Sequence, residues 1–326
     1  MGGVDHIRMP ASSERNPAVV PLVSVVMAAK NYARFLPAAV ESVVAQTLPD
    51  WELLIVDDGS TDATPAAARP YLTDARVRYV RSDRLGQSRA KNLGIGLSRG
   101  RFVAFLDADD AWQPTKLEKQ LPRFTADVGV VFCRRSLMDE EGRALPQKPT
   151  PAPPTGRVLT PMFVQNFVCF SSVVVRREVF SAVGAFDPEW DLAIDYDLWL
   201  RVAARFGFDF VDEELVAYRT GHGNLSKKLA DRVATALSIM HRAETRYGVG
   251  DEVPAGVIAA GYASTCRTLG YVIRNAEPLA AMRWCAKALR WPDARLASAK
   301  GLAAALAAWA RGKREAGAAE NATANV

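Results

Sequence analysis

The chain is 326 residues long with a formal net charge of +5, and 49% of its residues are hydrophobic and 24% charged. That is a soluble composition with room for one large domain and a smaller appendage. No stretch approaches the roughly 18 uninterrupted apolar residues of a membrane span. Cys133, Cys169, Cys266 and Cys285 stand far apart without metal-ligand spacing, which argues against a zinc module or a disulfide scaffold. The positive balance favours an anionic partner, whether nucleotide diphosphate, acidic membrane surface or nucleic acid, without choosing among them.

Residues 1–20 include Arg8, Glu14, Arg15 and Asn16 and no apolar core, so they read as a disordered leader and not a signal peptide, with the cytoplasm as the default location. The fold begins at Pro21. Residues 22–28 form a first apolar strand, and Asn31-Tyr32 turns into a helix carrying Phe35, Leu36, Ala39, Val43 and Val44 at a period near 3.6. Trp51-Glu-Leu-Leu-Ile-Val56 is a second buried strand ending in the turn Asp57-Asp-Gly-Ser-Thr-Asp62. Val77 to Arg81 is a third, and Gly86 to Gly94 opens a helix leading to a fourth strand at Phe102–Leu106. This β-α alternation predicts a mostly parallel sheet with helices on both faces.

The fourth strand delivers Asp107, Asp109 and Asp110 at its carboxyl end, the edge where open α/β sheets bind ligands. Two carboxylates one residue apart suit a hard cation that also takes substrate phosphates. An isolated Asp-x-Asp reads as well as a solvated turn before the helix at 114–121. A second acidic turn at Asp58 lies on the same edge, and Arg89 and Lys91 between the two could meet phosphates or merely face solvent. Asp58 could accept a hydrogen bond from a base ring N–H.

Residues 23–27 with Asn31-Tyr32, Glu41 to Thr47, Val56 to Asp62, Gly86 to Gly94 and Phe105 to Trp112 together resemble the family 2 glycosyltransferases in order and spacing. The resemblance implies a GT-A, Rossmann-like α/β fold over residues 21–226, a nucleotide-diphosphate-sugar donor of the UDP type, a divalent metal (Mn²⁺ or Mg²⁺) and inversion at the anomeric carbon. By position it implies that Asp58, Asn31, Lys91 and Asp107 bind the nucleotide sugar and that Asp109 holds the metal. Asp195, in Ile194-Asp-Tyr-Asp-Leu-Trp-Leu-Arg201, matches the general base, and His222, in Tyr218-Arg-Thr-Gly-His222, matches a metal or diphosphate contact. Three departures stand out: Ala29-Lys30 before Asn31, Lys91 in place of the usual arginine, and Ile194 where the family has glutamate. The acceptor would be a hydroxyl of a glycan or glycolipid in bacterial-type cell-surface polysaccharide assembly, with no nucleic acid involved.

Val128 to Cys133 reads as a further strand, the proline-dense stretch 147–155 as a surface loop, and residues 171–180 as a strand then a helix. Residues 227–314 change to alanine-rich helices, predicted at 228–247, 252–274, 277–290 and 294–311, and residues 315–326 read as a disordered tail. The helical region is either an appendage packed on the rest or an interfacial element touching an anionic membrane through the basic helix near Trp309. Competing readings of the whole are a catalytically silent nucleotide-sugar-binding protein, which would keep Asp58 and Asp109 without a competent base, a phosphoacceptor receiver domain, and sugar nucleotidyl transfer. The strand preceding residues 51–56 argues against the receiver domain, and the lack of a glycine-rich phosphate loop argues against nucleotidyl transfer.

Overall fold

The computed structural model describes residues 20–221, 229–291 and 295–323, with side chains as far as Arg311. Nearly all of the expected leader and His222 fall outside that range. The chain forms two compact units, Met1–Val158 with Phe167–Asn224, and Leu159–Asn166 with Leu225–Val326.

In chain order the first unit contains β1 (Val23–Ala29), α1 (Leu36–Val44), β2 (Trp51–Asp58), α2 (Thr64–Ala68), β3 (Val77–Ser82), α3 (Gln87–Leu97), β4 (Phe102–Phe105), β5 (Ala111–Trp112), α4 (Lys116–Gln120), β6 (Val128–Met138) and β7 (Ala144–Leu145). After α5 (Leu159–Val164), which belongs to the second unit, come β8 (Val174–Arg176), α6 (Arg177–Val183), α7 (Ile194–Ala203) and β9 (Gly207–Arg219). The second unit continues with α8 (Leu229–Arg246), α9 (Val249–Glu252), α10 (Ala255–Ile273), α11 (Pro278–Ala288) and α12 (Arg295–Thr323). The last helix therefore runs past 314, through much of the stretch expected to be a disordered tail. A six-residue helix embedded in the first domain's sequence packs with the C-terminal helices, so the expected boundary at 226 is not a single cut.

The sheet order is β3-β2-β1-β4-β8-β6-β9-β5, with β7 on β6. The first four strands are parallel, as their continuous apolar runs predict. Beyond β4 the sheet is mixed: β8 runs antiparallel to β4 and β6, whereas β6 and β9 are parallel. The chain leaves β1 toward β2 and β3 on one side and returns to β4 on the other, so a topological switch point lies between β1 and β4. The acidic turn follows β4 directly.

Burial explains the regularity of this half. Every residue of β2 and β4 is buried, and β1 is buried apart from its sixth residue; each large apolar side chain so removed from water contributes about 1.5–3 kcal/mol. α3 lies so near β1 that a Cβ at Gly94 would stand 2.4 Å from Val26 Cγ1. Only a residue without a side chain permits that approach, and the approach brings α3 to the ligand-binding edge.

Periodicity did not predict β9, because Asp212, Glu213 and Glu214 interrupt its apolar pattern. In the structure these three exposed acids sit where the β6–β9 register slips between Cys133↔Val211 and Arg134↔Glu214. A bulge takes up the extra residues. The proline-dense loop has no regular structure, and it is fastened at Thr150 by Arg134 Nη1 at 3.0 Å to the carbonyl and 3.1 Å to the hydroxyl, and at Gln147 through Arg135 and Glu214.

One buried cation stands out in this unit. Lys116 is fully buried, donates to Gln120 Oε1 at 2.7 Å and sits 4.0 Å from the centre of the Trp112 ring. Burial pushes its ammonium from the ordinary 10.5 down to about 8. Between those values the unfolded chain binds more protons than the folded one, so this group makes stability rise with pH. Urea unfolding of the parent and of Lys116→Met should show the parent gaining about 2 kcal/mol relative to the variant between pH 7 and pH 10. A pH-independent difference between the two would mean that Lys116 is not held in a dehydrated site.

Candidate functional site

The site is built at the carboxyl ends of β1, β2 and β4. Asn31, just past β1, adopts a left-handed conformation with φ 61°, which asparagine tolerates better than most residues. That turn aims successive N–H groups at the loop after β2: Asn31 N donates to Ser60 Oγ at 2.9 Å, Tyr32 N to Thr64 Oγ1 at 2.9 Å and Ala33 N to Asp62 Oδ2 at 3.1 Å. In return Thr61 N donates to Asn31 Oδ1 at 2.8 Å. Asn31 thus joins the two loops, with its carboxamide oxygen already engaged.

The adjacent carboxylates of β2 have different positions. Asp57 is fully buried and holds the turn, accepting from Ser60 N at 2.8 Å and from the Tyr79 hydroxyl. Asp58 accepts on Oδ1 from Ser82 Oγ at 3.0 Å and Leu85 N at 2.5 Å, and on Oδ2 from Gly86 N at 3.0 Å, with Lys30 Nζ 4.0 Å away. It therefore anchors the loop that enters α3. A carboxylate has about four acceptor positions, so Oδ2 keeps capacity for another donor.

The second acidic turn brings three carboxylates together. Asp109 and Asp110 are buried and Asp107 is partly exposed. Ser171 sits between them: its Oγ donates to Asp110 Oδ2 at 2.5 Å and accepts from Asp107 N at 3.1 Å. Trp112 Nε1 donates to the Ser171 carbonyl at 2.8 Å. Arg219 N donates to Asp110 Oδ1 at 2.9 Å, and the Arg219 guanidinium reaches the carbonyls of Asp109 at 2.8 Å, Asp139 at 3.0 Å and Glu140 at 2.9 Å. Lys91 Nζ lies 3.1 Å from Asp107 Oδ1 and 4.2 Å from the Phe170 ring centre. Burial, then the charges of Asp109 and Asp107, push the Asp110 carboxyl well above its ordinary range. Burial and all three carboxylates likewise hold the Tyr32 phenol neutral, and burial with Asp110 and Asp107 pushes Tyr218 up to about 12.

Asp195 lies in the first turn of α7, two residues past Ala193, which is left-handed at φ 53°. Nothing in its own helix caps that turn through a side chain. The loop before it is instead held by α3: Ser88 Oγ donates to the Trp190 carbonyl at 2.9 Å, Gln87 Nε2 donates to the Asp191 carbonyl, and Asn92 makes a reciprocal pair with Phe186 at 2.7 and 2.9 Å. Asp197 is committed elsewhere, paired with Arg201 at 2.8 Å, while that guanidinium also gathers the carbonyls of Val183 and Ala185.

One helix thus joins both acidic centres, carrying Lys91 to Asp107 on the fourth-strand side and Gln87, Ser88 and Asn92 to the Asp195 loop. The structure brings Asp58, Lys91, Asp107 and Asp109 to one edge; His222 is outside the described residues. Residue patterns did not indicate Ser171 or the carbonyl-gathering role of Arg219. Arg219 lies inside the quoted Tyr218-Arg219 motif, which was the available signal, whereas Ser171 had none.

Among the described residues no group of three or more His, Cys, Asp or Glu is arranged to hold a metal by itself. The donor set nonetheless fits a Mg²⁺ or Mn²⁺ ion held by one or two carboxylates and completed by substrate phosphates. The oxygens are hard, and the Asp110 carboxyl is raised by burial first and then by the charges of Asp109 and Asp107, the second of which a cation would offset.

Residues 24–184 match the model of the family Glycosyl transferase family 2. An uncharacterized glycosyltransferase of Nostoc sp. is 35% identical over 210 residues, covering 62% of this chain and 65% of its own length. The putative teichuronic acid biosynthesis glycosyltransferase TuaG of Bacillus subtilis is 39% identical over 128 residues, 38% of this chain and 51% of its own. The chain therefore spans less than two thirds of either relative. Among solved structures, the mannosyltransferase PcManGT of Pyrobaculum calidifontis in complex with GDP-Man and Mn²⁺ superposes with a TM-score of 0.60 at 18% identity, covering 93% of this chain and 90% of that one. With the switch-point sheet and its acidic edge, these matches show that the chain carries a glycosyltransferase family 2 domain on a GT-A fold.

Proposed function

We propose that the chain transfers a sugar, with inversion, from a nucleotide-diphosphate sugar to an acceptor hydroxyl in cell-surface polysaccharide or glycolipid assembly. The observation that carries this reading is the placement of α3, which holds the acidic turn with Lys91 and the Asp195 loop with Gln87, Ser88 and Asn92. A donor site and a proton acceptor built on one rigid helix are what a single displacement between two substrates requires.

The base is the first element of the donor. Among the described residues Asp58 Oδ2 accepts one hydrogen bond, from Gly86 N, and suits a base that offers a ring N–H. Uracil and guanine offer one, whereas neutral adenine and cytosine present acceptors there, so UDP- and GDP-sugars fit better than ADP- and CDP-sugars. UDP is our first choice. Asn31 shapes the adjacent loop through its backbone and carboxamide. Asp107 faces the ribose or the metal, with Lys91 beside it.

Asp109, with Asp107, would hold a divalent metal, which when bound neutralises charge on the departing diphosphate. His222 is proposed as a further ligand or diphosphate contact. Asp195 takes the acceptor's hydroxyl proton as the acceptor oxygen forms its bond to the anomeric carbon from the face opposite the leaving group. The bond from that carbon to the diphosphate oxygen breaks with its electron pair, and nucleoside diphosphate departs. For the acceptor, the TuaG relative, named for teichuronic acid biosynthesis, makes intermediates of that kind of polymer the first class to test.

Two substitutions separate the roles. Asp195→Asn should leave donor affinity within a few-fold, measured calorimetrically, while turnover falls by about 10²- to 10⁴-fold, the usual worth of general-base catalysis. Near-parental transfer by that variant would reassign Asp195 to structure, whereas a parent that binds donor without transferring to any acceptor would favour the catalytically silent reading. Asp109→Asn should fold normally and lose Mn²⁺-dependent turnover by about two orders of magnitude or more. Unchanged activity and metal affinity would remove Asp109 from the metal site.

A further inference from the structure

The second unit has a charge distribution unlike that of the chain as a whole. Residues 255–311 contain Arg267, Arg274, Arg283, Lys287, Arg290, Arg295, Lys300 and Arg311, against two acids, Glu277 and Asp293. In the first unit the cations are mostly paired, as with Arg34, Arg76, Arg78, Lys91, Arg99, Lys119, Arg123, Arg134, Arg143 and Arg201. None of the eight in the helical unit forms an ion pair among the described residues. Their charge is left uncompensated by the protein.

Apolar exposure falls on the same helices. Tyr271, Leu279, Leu296 and Leu306 are 61%, 56%, 73% and 51% exposed and, with Val20, are the most exposed large apolar side chains among the described residues. Along α11 the outward positions are Leu279, Arg283, Ala286 and Lys287, continuing to Arg290, while Ala281, Cys285 and Ala288 face inward. Along α12 they include Leu296, Lys300, Ala303 and Ala307, while Ser298 and Ala305 are buried. α10 adds Tyr271, with Arg274 Cζ 3.7 Å from its ring centre, and Lys287 Nζ lies 5.0 Å from the centre of the Trp284 ring. Leucines, amphipathic aromatics and cations therefore share the outer surface of three helices that pack on one another. No described helix is long and apolar enough to cross a membrane.

We propose that the outward faces of α10, α11 and α12 are a docking surface for an anionic lipid bilayer, which the chain binds from one side without spanning. Unpaired cations match anionic headgroups, each worth roughly a factor of five in partition near such a surface. The exposed leucines and Tyr271 supply apolar and interfacial side chains that a soluble polyanion would not need. The surface thus extends well upstream of the basic stretch near Trp309.

The test is co-sedimentation of the full chain with vesicles of phosphatidylglycerol and phosphatidylcholine and with pure phosphatidylcholine vesicles. Binding to the anionic vesicles at low salt is expected, with release at about 0.5 M salt, where charges are screened within a few ångströms. The combined variant Arg283→Gln, Lys287→Gln and Arg290→Gln should weaken partition by about 100-fold, and Leu279→Ala with Leu296→Ala should weaken it at unchanged charge. Should the triple variant melt lower than the parent, Lys300→Gln with Arg311→Gln provides a second charge test, expected to weaken partition at least tenfold. Equal binding to neutral vesicles, no binding to anionic ones, or binding unmoved by these substitutions would overturn the proposal. So would a preference for duplex DNA or heparin over anionic vesicles.

Discussion

Three carboxylates within four residues at the end of a buried strand create the constraint around which this domain is organised. Asp107, Asp109 and Asp110 cannot all keep full charge in a partly dehydrated turn without compensation, and the protein supplies it from three directions. Lys91 comes from α3, Ser171 from the segment before β8, and Arg219 from the end of β9. Ser171 and Arg219 satisfy oxygens as hydrogen-bond donors, whereas Lys91 brings a cation directly to one carboxylate. Even so, Asp110 remains well above its ordinary range. Burial acts first on that carboxyl and the charges of Asp109 and Asp107 second, and the divalent cation proposed for this turn would offset the latter.

The second consequence concerns α3. Its N-terminal approach is fixed by Asp58 through Leu85 and Gly86, its packing on β1 by Gly94, and its outer contacts run to the loop preceding α7. The donor contact proposed at Asp58 and the proton acceptor proposed at Asp195 therefore share one mechanical support. The left-handed Ala193 adds a local constraint, since a non-glycine residue holds that conformation only where its surroundings over-determine it.

Much of this was legible in the sequence, for physical reasons that differ by element. β1 to β4 announce themselves because strands buried on both faces need continuous apolar runs, and the acidic turns stand out because carboxylates end those runs abruptly. β9 was hidden because its three consecutive acids occupy a bulge, where alternation with the partner strand no longer applies. Ser171 and Arg219 were beyond local reading because their partner Asp110 lies 61 and 109 positions away. The two aspartates of β2 look alike in sequence, yet one is buried to hold a turn and the other anchors α3. The excursion of α5 into the second unit was equally invisible, since its apolar residues would suit either core.

The central claim is that the acidic turn is a cation-binding centre for which Lys91 partly substitutes. Thermal unfolding of Lys91→Met, in chelator and in saturating Mn²⁺, tests it most directly. The account predicts that the variant melts about 4 °C below the parent in chelator, with Mn²⁺ restoring most of that loss and stabilising the variant more than the parent. An equal deficit with and without Mn²⁺ would contradict it, because Lys91 would then be a packing residue and the three carboxylates would have no need of a metal.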